Sequence, residues 1–126
     1  PNGVRIGTAE IYRIVEQDAQ IADSLVVGKD VAGNEKVILF VKLKEGELTE
    51  ALKGRLKVAL KEKASPRHVP DYIFEVKEIP YTLSGKKVEL AVKKLLRGEE
   101  PQNLEALSNP KVLKDFEVFK GIVEKG

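Results

Sequence analysis

Apolar positions along the chain change spacing several times, and each change marks an element. Ile11, Ile14 and Val15 recur at helical spacing behind Thr8, a good N-cap, with Glu10 suited to the positive end of a helix dipole. A helix is therefore predicted from Ala9 to Glu16 or Gln17. Ile21 to Val27 is a branched, apolar run closed by Gly28 and reads as a buried strand; Lys29 to Glu35, with Asp30, Gly33 and Asn34, reads as a hairpin-like connection. Lys36 to Lys44, centred on Val37-Ile38-Leu39-Phe40-Val41, is the strongest strand signal, and the two runs are expected to pair.

Thr49 caps the next predicted helix, with Leu52, Leu56, Ala59 and Leu60 on its inner stripe and Lys53, Arg55, Lys57 and Lys61 facing water. The two-proline loop Ser65-Pro66-Arg67-His68-Val69-Pro70 cannot continue it. Tyr72 to Val76 reads as a third strand. Val88, Ala91, Val92, Leu95 and Leu96 form a helical stripe that Arg97-Gly98 terminates. Glu99 to Leu107 reads as a polar connection, and Asn109-Pro110 as cap and first turn of a last helix carrying Val112, Leu113, Phe116, Phe119 and Ile122. The expected fold is α+β: a small, mostly three-stranded sheet packed against helices, with an N-terminal turn or hairpin and a C-terminal helix. One domain is expected over 1–126, its core over 1–98 and a C-terminal connection and helix over 99–126.

Composition narrows the chemistry. Cysteine is absent, which removes disulfides, thiolate metal sites and cysteine nucleophiles. The single histidine, His68, cannot build a histidine zinc cluster, and it reads as a packed or loop residue. A net charge of +2 gives no bulk electrostatic argument for nucleic acid. No apolar run approaches the ~18 residues that a membrane span needs, so no membrane partner and a cytoplasmic location are expected. Methionine is absent and the chain opens on Pro1, so it is expected to be a piece of a longer protein.

Candidate chemistry concentrates in Pro80-Tyr81-Thr82-Leu83-Ser84-Gly85-Lys86-Lys87. Pro80 should end the preceding strand, and Thr82, Ser84 and Gly85 give a polar turn. Lys86 follows, a compact cation beside a glycine whose missing side chain leaves room; a phosphate or carboxylate oxygen is its natural partner. A bare Ser-Gly-Lys also describes an ordinary solvated turn. It is not a Walker loop, which requires a glycine where Pro80 stands.

Two separated stretches carry a resemblance. Gly3-Val4-Arg5-Ile6-Gly7-Thr8-Ala9-Glu10-Ile11 resembles the signature opening the small, mobile C-terminal domain of adenylate-forming acyl-CoA synthetases. Pro80-Tyr81-Thr82-Leu83-Ser84-Gly85-Lys86 is similar to the Pro-x-Thr-x-Ser-Gly-Lys signature near that domain's end, and the elements between follow in the right order. Tyr81, Leu83, Lys87-Val88-Glu89, the helix Ala9 to Glu16 and Ser108-Asn109-Pro110 resemble the branch that activates acetoacetate. The acetyl- and propionyl-activating branches are the alternative; acetyl-activating members usually carry arginine before Ser-Gly-Lys and again after it, where this chain has Leu83 and then Lys87, Val88, Glu89 and Leu90.

The resemblance implies a two-step reaction, in which ATP converts an acid to an acyl-adenylate with loss of pyrophosphate, and the CoA thiol then displaces AMP. It implies ATP, Mg2+ and CoA for the full-length enzyme, none bound by the isolated fragment, and no catalysis without the missing N-terminal adenylation domain. Lys86 matches the adenylation lysine, acting electrostatically rather than as a base. Arg5 matches an arginine near the ATP phosphates, and Asn2 and Gly3 match positions lining the pantetheine channel. Lys61 falls near an arginine that meets the CoA nucleotide and also belongs to a solvated helix face. Gly7, Glu10, Thr82, Ser84 and Gly85 support the motifs, although the helix dipole alone accounts for Glu10. Glu16, Asp18 and Ile21 match a secondary metal position of acetyl-activating members, but no metal is expected here. The motif lysine is also a target of reversible acylation in this family, so a protein acyltransferase and deacylase are implied partners of Lys86. A rival reading takes Lys86, Lys87, Lys93, Lys94 and Arg97, with Tyr81, as a polyanion- or RNA-binding patch; Glu89 interrupts it.

Overall fold

A computed structural model of the chain describes residues 8–31, 34–100 and 106–119. Helix α1 (Thr8–Val15) leads into strand β1 (Ile21–Val31), which forms a hairpin with β2 (Asn34–Leu43). Helix α2 (Glu50–Lys63) and a short 3-10 helix (Pro66–His68) carry the chain back to β3 (Tyr72–Glu75), which pairs parallel to β2. Helix α3 (Glu89–Leu96) and a further 3-10 helix (Pro110–Phe116) follow. The sheet order is β1-β2-β3, so β1 is an edge strand.

Alternation along the strands explains the layers. Leu25, Val27, Ile38 and Phe40 point to one face, where Val92 and Leu96 of α3 meet Leu107, Leu113 and Phe116. Val26, Val37, Leu39 and Val41 point to the other, against Ile11, Ile14 and Val15 of α1 and Leu52, Leu56 and Leu60 of α2. A sheet covered on both faces accounts for the unbroken apolar run Val37 to Val41. Thr49 caps α2, its side chain accepting from the Leu52 N–H at 3.1 Å. Gly98, with φ +82°, follows the end of α3 as expected.

Three expectations change. Gly28 does not close β1: it pairs with Val37 and the ladder runs on to Val31, because backbone pairing needs no side chain. The expected helix after Asn109 begins as a seven-residue 3-10 helix, in which Leu113 and Phe116, three apart, fall on the same buried side. Ile122 and the N-terminal turn over Pro1–Gly7 lie outside the described residues. The stretch ending at Leu107 is not wholly polar connection, since Leu107 is buried and bridges to Thr82.

Candidate functional site

Pro80 to Val88 forms a small hairpin. Tyr81 and Lys87 face each other across it, the Thr82 N–H donates to the Lys86 carbonyl at 2.8 Å, and the Val88 N–H to the Pro80 carbonyl at 3.2 Å. Thr82 organises the tip: its Oγ1 accepts from the Lys86 N–H at 3.1 Å and lies 2.9 Å from Ser84 Oγ, while its carbonyl accepts from the Gly85 N–H at 2.9 Å. Gly85 has φ +85°, and a Cβ there would meet nothing within 4 Å. Glycine is therefore required for the left-handed backbone rather than for room within the chain.

Lys86 emerges exposed from this tip, and among the described residues its ammonium meets no carboxylate. Lys87 does the opposite. Its Nζ donates to Glu16 Oε2 at 2.5 Å, Asp23 Oδ1 at 3.0 Å and the Ser24 carbonyl at 2.6 Å, and lies 4.0 Å from the centre of the Tyr12 ring. The Tyr81 hydroxyl donates to Asp23 Oδ2 at 2.5 Å, Ser24 Oγ donates to Glu16 at 2.6 Å, and the Tyr12 hydroxyl donates to Glu89 and accepts from the Val26 N–H. Burial and the adjacent carboxylates, Glu89 and Asp23 respectively, push both tyrosines well above their ordinary range, so both remain donors at neutral pH.

A second set of contacts holds the hairpin from the other side. The Leu83 N–H donates to the Ala106 carbonyl at 2.8 Å and the Ser108 N–H to the Tyr81 carbonyl at 2.9 Å. Asn109 stands at the cap position of the last helix without capping it; its side chain accepts from the Tyr81 N–H and donates to the Ile79 carbonyl. Ser108-Asn109-Pro110 was named in the sequence, but no pattern there showed that it returns to pair with the hairpin. Tyr12 on α1 and Glu16 just past its end are four apart, and that spacing, which puts two side chains on one side of a helical turn, was the available signal for the polar cluster.

The remaining candidates separate. Asn2, Gly3, Arg5 and Gly7 lie outside the described residues. Glu10 stands in the first turn of α1, with its carboxylate 3.7 Å from Arg13 and 3.3 Å from His68 Nε2. His68 is half-buried, its Nδ1 2.7 Å from Ser65 Oγ. Lys61 is exposed in the last turn of α2, on the layer opposite α3. Arg55 grips Asp18 with two hydrogen bonds of 2.7 and 2.9 Å, and that pairing holds the Asp18 carboxyl below its usual range. With Asp18 engaged by Arg55 and Glu16 by Lys87, those positions do not fit a cation; among the described residues no three His, Asp or Glu side chains form a metal cluster. Lys87 and Arg97 are held by internal carboxylates, which breaks the basic patch. No helix among the described residues is long and apolar enough to cross a membrane.

Comparison with known proteins gives a consistent result. The chain is 50% identical over 125 residues to an acetoacetyl-coenzyme A synthetase of Rhizobium meliloti (strain 1021), covering 98% of this chain and 19% of that protein. It is 47% identical to an acetoacetyl-CoA synthetase of Xenopus tropicalis, covering 98% and 18%. The solved acetoacetyl-CoA synthetase from Streptomyces lividans superposes with a TM-score of 0.84 at 37% identity, over 97% of this chain and 19% of that one. The chain thus spans about a fifth of the length of the relatives it matches. Residues 11–86 match the model of the AMP-binding enzyme C-terminal domain, and the chain belongs to that family.

Proposed function

We propose that this chain is the C-terminal lid domain of an ATP-dependent acid–CoA ligase that converts acetoacetate, ATP and CoA to acetoacetyl-CoA, AMP and diphosphate through an acyl-adenylate. The observation that carries the reading is Lys86: an exposed ammonium without a carboxylate partner among the described residues, on a glycine-dependent turn braced from both sides. Such a cation is suited to the negative charge that builds between acyl oxygen and α-phosphorus. The choice of acid rests on the names of the relatives, because the acid pocket and most of the ATP site would belong to an N-terminal adenylation domain.

In this reading residues 1–126 form a single domain working in the cytoplasm. Arg5 approaches the ATP phosphates, Asn2 and Gly3 line the CoA channel, and Lys61 meets the CoA nucleotide. Mg2+ arrives with the ATP phosphates, held outside this chain. Acylation of Lys86 would remove its charge and silence adenylation. The test is acid-dependent exchange of pyrophosphate into ATP by the full-length enzyme, with acetoacetate, acetate and propionate compared. Exchange driven by acetoacetate is expected. Preference for another acid overturns the substrate, and no exchange with any acid overturns the ligase reading.

A further inference from the structure

Two neighbouring lysines occupy opposite situations. Lys86 projects from the tip without a partner among the described residues, while the ammonium of Lys87, with three N–H donors, meets three acceptors on two other elements. Those acceptors are Glu16, just past the end of α1, and Asp23 and Ser24 of β1. Tyr81, directly across the hairpin from Lys87, also bonds Asp23. Both arms are therefore fastened to one carboxylate just behind the Thr82-to-Lys86 turn. The Tyr12 ring beneath the ammonium extends the tether along α1, the helix that follows the N-terminal motif.

We propose that Lys87 is a positioning residue for adenylation, holding the Lys86 turn at a fixed place on α1 and the edge strand β1. The proposal rests on the adenylation role of Lys86. The Lys87 side chain is 19% exposed, with Asp23 20% and Glu16 35% exposed, so the cluster is partly shielded from water and from screening salt. Without Lys87 the turn keeps its internal Thr82 bonds, its contacts with Ala106, Ser108 and Asn109 and the Tyr81 bond to Asp23, but loses its hold on Glu16, the Ser24 carbonyl and the Tyr12 ring. The Lys86 ammonium then samples positions away from the reacting oxygens, and displacements of about 1 Å cost up to a hundredfold in rate.

The experiment uses the full-length enzyme with Lys87→Met, Lys87→Arg, Tyr81→Phe and Lys86→Ala. It measures acid-dependent pyrophosphate exchange and, separately, thioester formation from supplied acyl-adenylate. Lys87→Met is expected to lower the exchange kcat by roughly ten- to a hundredfold, with KM for ATP and acid little changed and thioester formation near wild type. Lys87→Arg should recover most of the loss, and Tyr81→Phe should lose a smaller factor in the same step. If Lys87→Met does not fold, Tyr81→Phe carries the test, and its failure to lower exchange selectively overturns the proposal. Equal loss of both half-reactions in Lys87→Met makes the residue merely structural and overturns it too. If Lys87→Met exchanges like wild type while Lys86→Ala does not, positioning by Lys87 falls and the role of Lys86 stands. If Lys86→Ala also exchanges normally, both fall.

Discussion

At the residue scale, adjacent or nearby side chains differ sharply in what they hold. The Lys86 side chain is exposed and makes no hydrogen bond or ion pair within the described chain, so Lys86→Ala should change unfolding free energy by no more than about 0.5 kcal/mol. Tyr12 is the contrast. Its hydroxyl accepts from the N–H of buried Val26 on the edge strand, a donor that β2 does not reach. Tyr12→Phe should therefore cost about 1–3 kcal/mol by leaving that donor unpaired. Denaturant unfolding of the two variants beside wild type checks both expectations. The sequence pointed to Lys86 through its turn, but Lys87 read as one more surface cation. Its partners lie 63 to 71 positions away, beyond the reach of any local pattern.

At the element scale, periodicity located α1, α2 and α3, because each buries one regular stripe, and the two long strands showed as apolar runs because the sheet is covered on both faces. It failed where pairing rather than side chains decides the outcome: β1 continues through Gly28, and Leu107 joins the hairpin by a bridge to Thr82. The 3-10 helix Pro110–Phe116 was expected as an ordinary helix, yet its buried residues were named correctly. Phe116 is fully buried beside Phe40, with ring centroids 4.8 Å apart and a T-shaped angle of 72°. Phe116→Ala should cost about 3–5 kcal/mol, measured by the shift in unfolding midpoint.

Asp18 and Arg55 join the turn after α1 to α2 and give a pH dependence of known sign. Arg55 lowers the folded-state pKa of Asp18, so the stabilisation is full above the unfolded value of about 3.9. It is lost as pH falls through the folded value. The Tm difference between wild type and Asp18→Asn should therefore be widest above about pH 5 and narrow steadily on acidification below about pH 4. A difference that stays constant across that range would show that the pair does not titrate with folding.

At the scale of the whole molecule, a three-layer fold presents Lys86, unpaired among the described residues, on a braced hairpin. The opening motif, with Asn2, Gly3, Arg5 and Gly7, was legible in the sequence, but lies outside the described residues. The acid-binding pocket was never legible, because nothing in these 126 residues is proposed to form it. What the proposal makes central is a division of labour in which Lys86 would serve acyl-adenylate formation and not the thiol step that follows.

The most direct test compares wild type with Lys86→Ala in the full-length enzyme, following pyrophosphate exchange and thioester formation from supplied acyl-adenylate in parallel. A loss of about a hundredfold to a thousandfold in exchange, with thioester formation within a few-fold of wild type, is predicted. Exchange that survives the substitution, or an equal loss in both half-reactions, would contradict the account.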